Sequence, residues 1–80
     1  MGPDHPQVAY PLNGLANVYY NQEKYAEAES LYKRALHIWE HAFGSGHTLT
    51  RTVVRNYAML LRKTGREVEA SELEARFLAS

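Results

Sequence analysis

One feature constrains this chain before any other: it resembles itself at an offset of 42 residues. That shift superposes Gly2 on Gly44, His5 on His47, Ala16 on Ala58, Glu27 on Glu69, Ala28 on Ala70, Leu31 on Leu73, Arg34 on Arg76 and Leu36 on Leu78. Leu12 with Val54, Val18 with Leu60 and Lys24 with Arg66 add conservative pairs. The matches share one helical phase, and a fixed period of this length is the mark of a repeat array. At 80 residues the chain is one domain or a piece of one. The core that two copies can build is small.

Each copy reads as a pair of helices. In the first, Leu12, Leu15, Ala16, Val18 and Tyr19 recur on one face over about 7–21. Asp4 and Gln7 have the spacing of a capping box, with His5 and Pro6 in the first turn. Pro11 lacks an N–H and clashes one turn back, so the helix is expected to start near Tyr10 or to bend there. Asn21-Gln22-Glu23 makes the turn. A second helix over about 24–43 carries Ala28, Leu31, Tyr32, Ala35, Trp39 and Ala42 as its buried stripe, and Phe43 and Gly44-Ser45-Gly46 close it. The third, about 47–64, buries Val53, Val54, Tyr57, Ala58, Leu60 and Leu61, and Thr64-Gly65 ends it with Gly in the left-handed position. The fourth, about 66–79, uses Val68, Ala70, Leu73, Phe77 and Leu78. No stretch alternates with the period of a strand. The expected units are 1–43 and 44–80.

Composition narrows the function classes. With no cysteine, disulfides and thiolate metal sites are excluded. Nine basic and nine acidic residues give zero net charge, so no global field draws the chain to nucleic acid or an anionic membrane. The uncharged run from His5 to Gln22 contains Pro, Asn and Gly and is no membrane span. No signal peptide is evident, and a cytoplasmic module is expected. A hydrophobic share of 45% supports a folded domain.

The segments Leu12-Asn13-Gly14-Leu15-Ala16-Asn17-Val18-Tyr19-Tyr20 and Lys24-Tyr25-Ala26-Glu27-Ala28-Glu29-Ser30-Leu31-Tyr32-Lys33-Arg34-Ala35-Leu36 resemble a tetratricopeptide repeat. Phe43-Gly44-Ser45-Gly46-His47 and Gly2-Pro3-Asp4-His5-Pro6 resemble the connector of the longer, 42-residue variant found in kinesin light chains. The resemblance implies an all-α superhelix of two antiparallel hairpins, a solenoid scaffold. Ala16 and Ala28 stand where the helices of a repeat cross closely, and Tyr19, Tyr25 and Tyr32 fill the space beside them with hydroxyls in water. The second copy departs from the pattern: Glu67 replaces Tyr25, Glu74 replaces Tyr32, and Phe77 replaces Ala35. Two repeats leave two apolar ends open, so self-association into a homo-oligomer is expected.

The resemblance also implies protein–protein interaction without catalysis, with a peptide in a concave groove lined by the first helix of each repeat. By position, the groove residues are Asn13, Asn17, Tyr20 and Asn21, with Tyr10 beside them, then Thr52, Arg55, Asn56, Met59, Arg62 and Lys63. The third helix carries Arg51, Arg55, Arg62 and Lys63 with no acid, while eight of the nine acids sit on the second helix of each repeat or at its start. Amides bond peptide backbone and guanidinium forks suit carboxylates, so an acidic or C-terminal peptide is the expected ligand. Asn13, Asn17 and Asn56 resemble part of a clamp for chaperone C-termini, but Asn13 stands where Lys is usual. The rival reading is structural assembly through the open ends.

His37-Ile38-Trp39-Glu40-His41 matches H-x-x-E-H, an inverted zinc-peptidase motif. Helical phase puts both His opposite the buried stripe and no third ligand is specified, so neither metal site nor cofactor nor catalysis is expected. His5 and His47 share the repeat's link, where a capping or inter-repeat hydrogen bond is expected.

Overall fold

The computed structural model describes residues 6–78, and within them four helices follow one another: α1 (Pro6–Asn21), α2 (Tyr25–Phe43), α3 (Thr48–Lys63) and α4 (Glu67–Phe77). No strand occurs among the described residues. Asp4, His5 and the proposed capping box lie outside them. The helices form a slab of 36 × 31 × 15 Å, in which α1 packs on α2, α2 on α3 and α3 on α4.

α1 begins at Pro6 rather than near Tyr10, and Pro11 lies inside it. Proline there removes a single bond, to the carbonyl one turn earlier, close to a helix end where bonds are already missing. At the other end α1 closes with a Schellman turn. The Lys24 N–H donates to the Tyr19 carbonyl at 2.8 Å and the Glu23 N–H to the Tyr20 carbonyl at 3.0 Å. α3 ends the same way: the Arg66 N–H donates to the Leu61 carbonyl at 2.7 Å and the Gly65 N–H to the Arg62 carbonyl at 3.1 Å. The motif needs one left-handed residue. The second copy supplies Gly65 (φ 80°), the first Glu23 (φ 63°). A side chain in that conformation costs about 1 kcal/mol. Glu23→Gly is therefore expected to raise stability by up to about 1 kcal/mol, and Gly65→Ala to lower it by a similar amount. A Cβ at Gly65 meets nothing within 4 Å, so the cost there is conformational. Urea unfolding midpoints check both, and an unstabilised Glu23→Gly refutes the account.

The core runs along the middle of the slab: Ala16, Ala28, Tyr32, Ala35, Leu36, Ile38, Trp39, Val53, Val54, Tyr57, Ala58, Leu60, Leu61, Ala70 and Phe77. All six residues expected of α3 are buried. The stripes of the other helices need correction. On α2, Leu36 and Ile38 join the core, Leu31 is half-buried and Ala42 is exposed, because α2 is packed by α1 on one side and α3 on another. On α1, Leu15 and Val18 are exposed, since no helix among the described residues covers that side. On α4, Val68 lies in water. His47 caps α3: its Nδ1 accepts the Leu49 N–H at 3.1 Å, and its ring stacks on Phe43 at 4.5 Å between centroids.

Candidate functional site

α1 and α3 present their polar residues on a common face, joined where the Asn56 amide donates to Asn13 Oδ1 at 3.4 Å. Asn17 stands one turn beyond Asn13 on α1. Its Oδ1 accepts the hydroxyl of Tyr32, a core residue of α2, so the carbonyl side of that amide is engaged. Thr52 Oγ1 donates to the Thr48 carbonyl at 2.9 Å, within its own helix. Tyr20 packs edge-on against Tyr25 at 5.7 Å. Tyr10 meets Trp39 edge-on at 5.1 Å. Asn21, Arg55, Met59, Arg62 and Lys63 are exposed.

The cations of this face differ in their freedom. Arg55 and Lys63 have no ion-pair partner among the described residues. Arg62 is held by two acids of α4: Nε donates to Glu67 Oε1 at 2.8 Å, and the two Nη atoms donate to both oxygens of Glu74 at 2.7 and 2.5 Å. These bonds hold the Glu74 carboxyl below the usual carboxylate range. Arg62 was expected as a free ligand for an acidic peptide; the structure commits it to α4. The acids responsible stand seven residues, about two helical turns, apart on α4, so they share a face toward Arg62. They occupy the places that Tyr25 and Tyr32 take in the first copy.

A second network seals the junction between the copies. Arg66 donates to Glu29 at 2.6 Å across the helix pair and to both oxygens of Glu69 at 3.1 and 2.6 Å. Tyr57 donates its hydroxyl to Glu29 at 3.3 Å, and Lys33 lies 3.5 Å away. The Arg66 bond is the main reason that the Glu29 carboxyl sits below its ordinary value despite partial burial. The Tyr57 and Tyr32 phenols are pushed up to about 12, first by burial. Both hydroxyls therefore serve internal bonds rather than lying in water.

His37 and His41 are exposed, with rings 4.3 Å apart. No group of three or more His, Cys, Asp or Glu able to hold a metal occurs among the described residues. Glu40, between them in sequence, faces Arg76 at 3.8 Å. No helix of the described residues is long and apolar enough to cross a membrane.

Comparison with known proteins agrees with this architecture. The model of a family described as tetratricopeptide repeat matches residues 7–79. Nephrocystin-3 of mouse, of Xenopus laevis and of human is each 51% identical to this chain over 35 residues. That stretch is 44% of this chain and 3% of each relative, so the chain corresponds to a small part of those proteins. With the family model matched over nearly its whole length and the paired helices it requires in place, the chain belongs to the tetratricopeptide repeat family.

Proposed function

We propose that the α1/α3 face holds an extended peptide with an acidic or carboxylate-terminated character, and that the chain does no chemistry of its own. Repeats of this family mediate protein–protein interaction, and this face supplies the means. The observation that carries the reading is the pairing pattern. Arg55 and Lys63 stand exposed and unpaired beside amide side chains, whereas Arg62, Arg66 and Arg76 are each matched to acids. A peptide carboxylate would meet Arg55 and Lys63, its backbone would meet Asn13, Asn56 and the free amide group of Asn17, and Met59 and Tyr20 would supply adaptable apolar contact. Asn21 and Thr52 border the face.

The test uses a fluorescent peptide rich in Asp and Glu with a free C-terminus. The double variant Arg55→Glu/Lys63→Glu is expected to weaken its binding at least tenfold, about 1.4 kcal/mol. Raising the salt should weaken the wild-type complex. Arg62→Gln should leave the affinity nearly unchanged, because that cation is already neutralised by α4. An affinity indifferent to Arg55→Glu/Lys63→Glu overturns the assignment.

A further inference from the structure

His37 and His41 stand four residues apart on α2, one above the other on the same side of the helix. Both are exposed, and their rings lie 4.3 Å apart between centroids, tilted at 48°. With Ile38 and Ala42 they line one recess of about 250 Å³. Ile38 is 1% exposed and belongs to the core, so the floor of that recess is fixed. Neither imidazole has a hydrogen bond or ion pair among the described residues. Of the charged residues nearby, Lys33 lies 3.5 Å from Glu29 and Glu40 lies 3.8 Å from Arg76. Neither they nor Arg34 line the recess, so what converges there is nitrogen alone.

We propose that His37 and His41 chelate one divalent transition-metal ion of the zinc, nickel and copper class. Imidazole nitrogen suits these ions, whereas magnesium and calcium take oxygen. An ion about 2.0–2.1 Å from each of two nitrogens, with tetrahedral angles, sets those nitrogens roughly 3.4 Å apart. Rings with centroids 4.3 Å apart reach that separation by turning about their side-chain bonds, with no movement of the helix. The pattern H-x-x-E-H supplies no third ligand and hence no peptidase centre, but a chelate needs only two. The other coordination positions fall to water or to a donor from another molecule. A spacing of four residues brings the rings together only while the segment is helical, so the bound ion also clamps the last turns of α2. That helix packs on both α1 and α3, which makes the clamp a brace for the slab. The site shares no residue with the α1/α3 face and does not rest on the peptide reading.

The probe is Zn²⁺, titrated calorimetrically into the full chain in a buffer that does not coordinate metals. Saturation at one ion per chain is expected. His37→Gln and His41→Gln should each weaken binding by roughly tenfold or more, because the second nitrogen binds intramolecularly. The variant His41→Ala/Ala42→His keeps the number of histidines but sets the pair five apart, on different sides of the helix, and should lose as much. Ni²⁺ should bind the same pair, and Mg²⁺ should show no saturable binding. Zn²⁺ should raise the urea midpoint of the wild type and leave that of His37→Gln/His41→Gln where it was. Positions 37, 41 and 42 are exposed, so unchanged helical circular dichroism is expected for all four variants. A single variant that binds nearly as well as wild type would mean independent surface imidazoles and an adventitious ion only, and overturns the proposal. So do wild-type affinity in His41→Ala/Ala42→His, saturable binding of Mg²⁺, and a midpoint that rises equally in the double glutamine variant.

Discussion

Trp39→Ala is expected to leave much of the chain unfolded at 25 °C. Trp39 is among the largest fully buried side chains and lies on α2, the helix that packs on both α1 and α3. Tyr10 of α1 rests edge-on against its ring. Truncation of a buried Trp costs about 3–5 kcal/mol in lost transfer energy and cavity formation. A domain of this size holds only about 4–12 kcal/mol in total, at roughly 0.05–0.15 kcal/mol per residue. Two hairpins in a slab 15 Å thick belong at the low end of that range, since few residues are covered from every side. Helical circular dichroism during urea titration measures the loss. A change under about 1 kcal/mol would show that α1 and α3 do not depend on this ring.

How far the sequence disclosed this arrangement depended on what covers each helix. All six apolar residues expected to be buried on α3 are buried, because that helix is packed on two sides. α1 has the same period, but nothing among the described residues lies over Leu15 and Val18. Periodicity tells which residues share a face, not whether a partner covers it. The polar face shows the same limit. Reading α4 by itself, Glu67 and Glu74 look like a decayed repeat that has lost its tyrosines. The exchange is in fact concerted: Tyr20, Tyr25 and Tyr32 of the first copy become Arg62, Glu67 and Glu74 of the second. An aromatic contact between helices at one end of the slab is thus replaced by a bidentate ion pair at the other. The signal lay in the offset comparison, but it becomes visible only when positions 20 and 62 are set beside the other two pairs. Family membership was legible because Ala16, Ala28, Ala58 and Ala70, all fully buried, mark the close helix crossings at a fixed spacing.

Raising the pH from 10 to 12 is expected to destabilise the fold steeply, through Tyr32 and Tyr57. Both phenols are pushed up to about 12 from an ordinary value of 10, burial being the first cause. Tyr57 also faces Glu29, which repels a phenolate and accepts the phenol's proton in a hydrogen bond. A group whose value is raised in the folded state contributes its full stability below pH 10, where both states are protonated. That contribution is lost as the pH climbs toward 12, because the unfolded chain ionises first. Between pH 10 and 12 each phenol forfeits about 2 kcal/mol. The rings stack on one another, so the two titrate as a coupled pair and their contributions fall short of a simple sum. The combined loss over this limb is on the order of 2–4 kcal/mol. Urea midpoints should hold nearly level at about pH 9 and fall progressively from about pH 10 to 12. The variant Tyr32→Phe/Tyr57→Phe should be weaker at neutral pH, since Asn17 and Glu29 lose donors, yet flatter between pH 10 and 12. If wild type and double variant lost stability in parallel over that limb, the alkaline transition would belong to other groups and the buried hydroxyls would not be what ties α2 to α1 and α3.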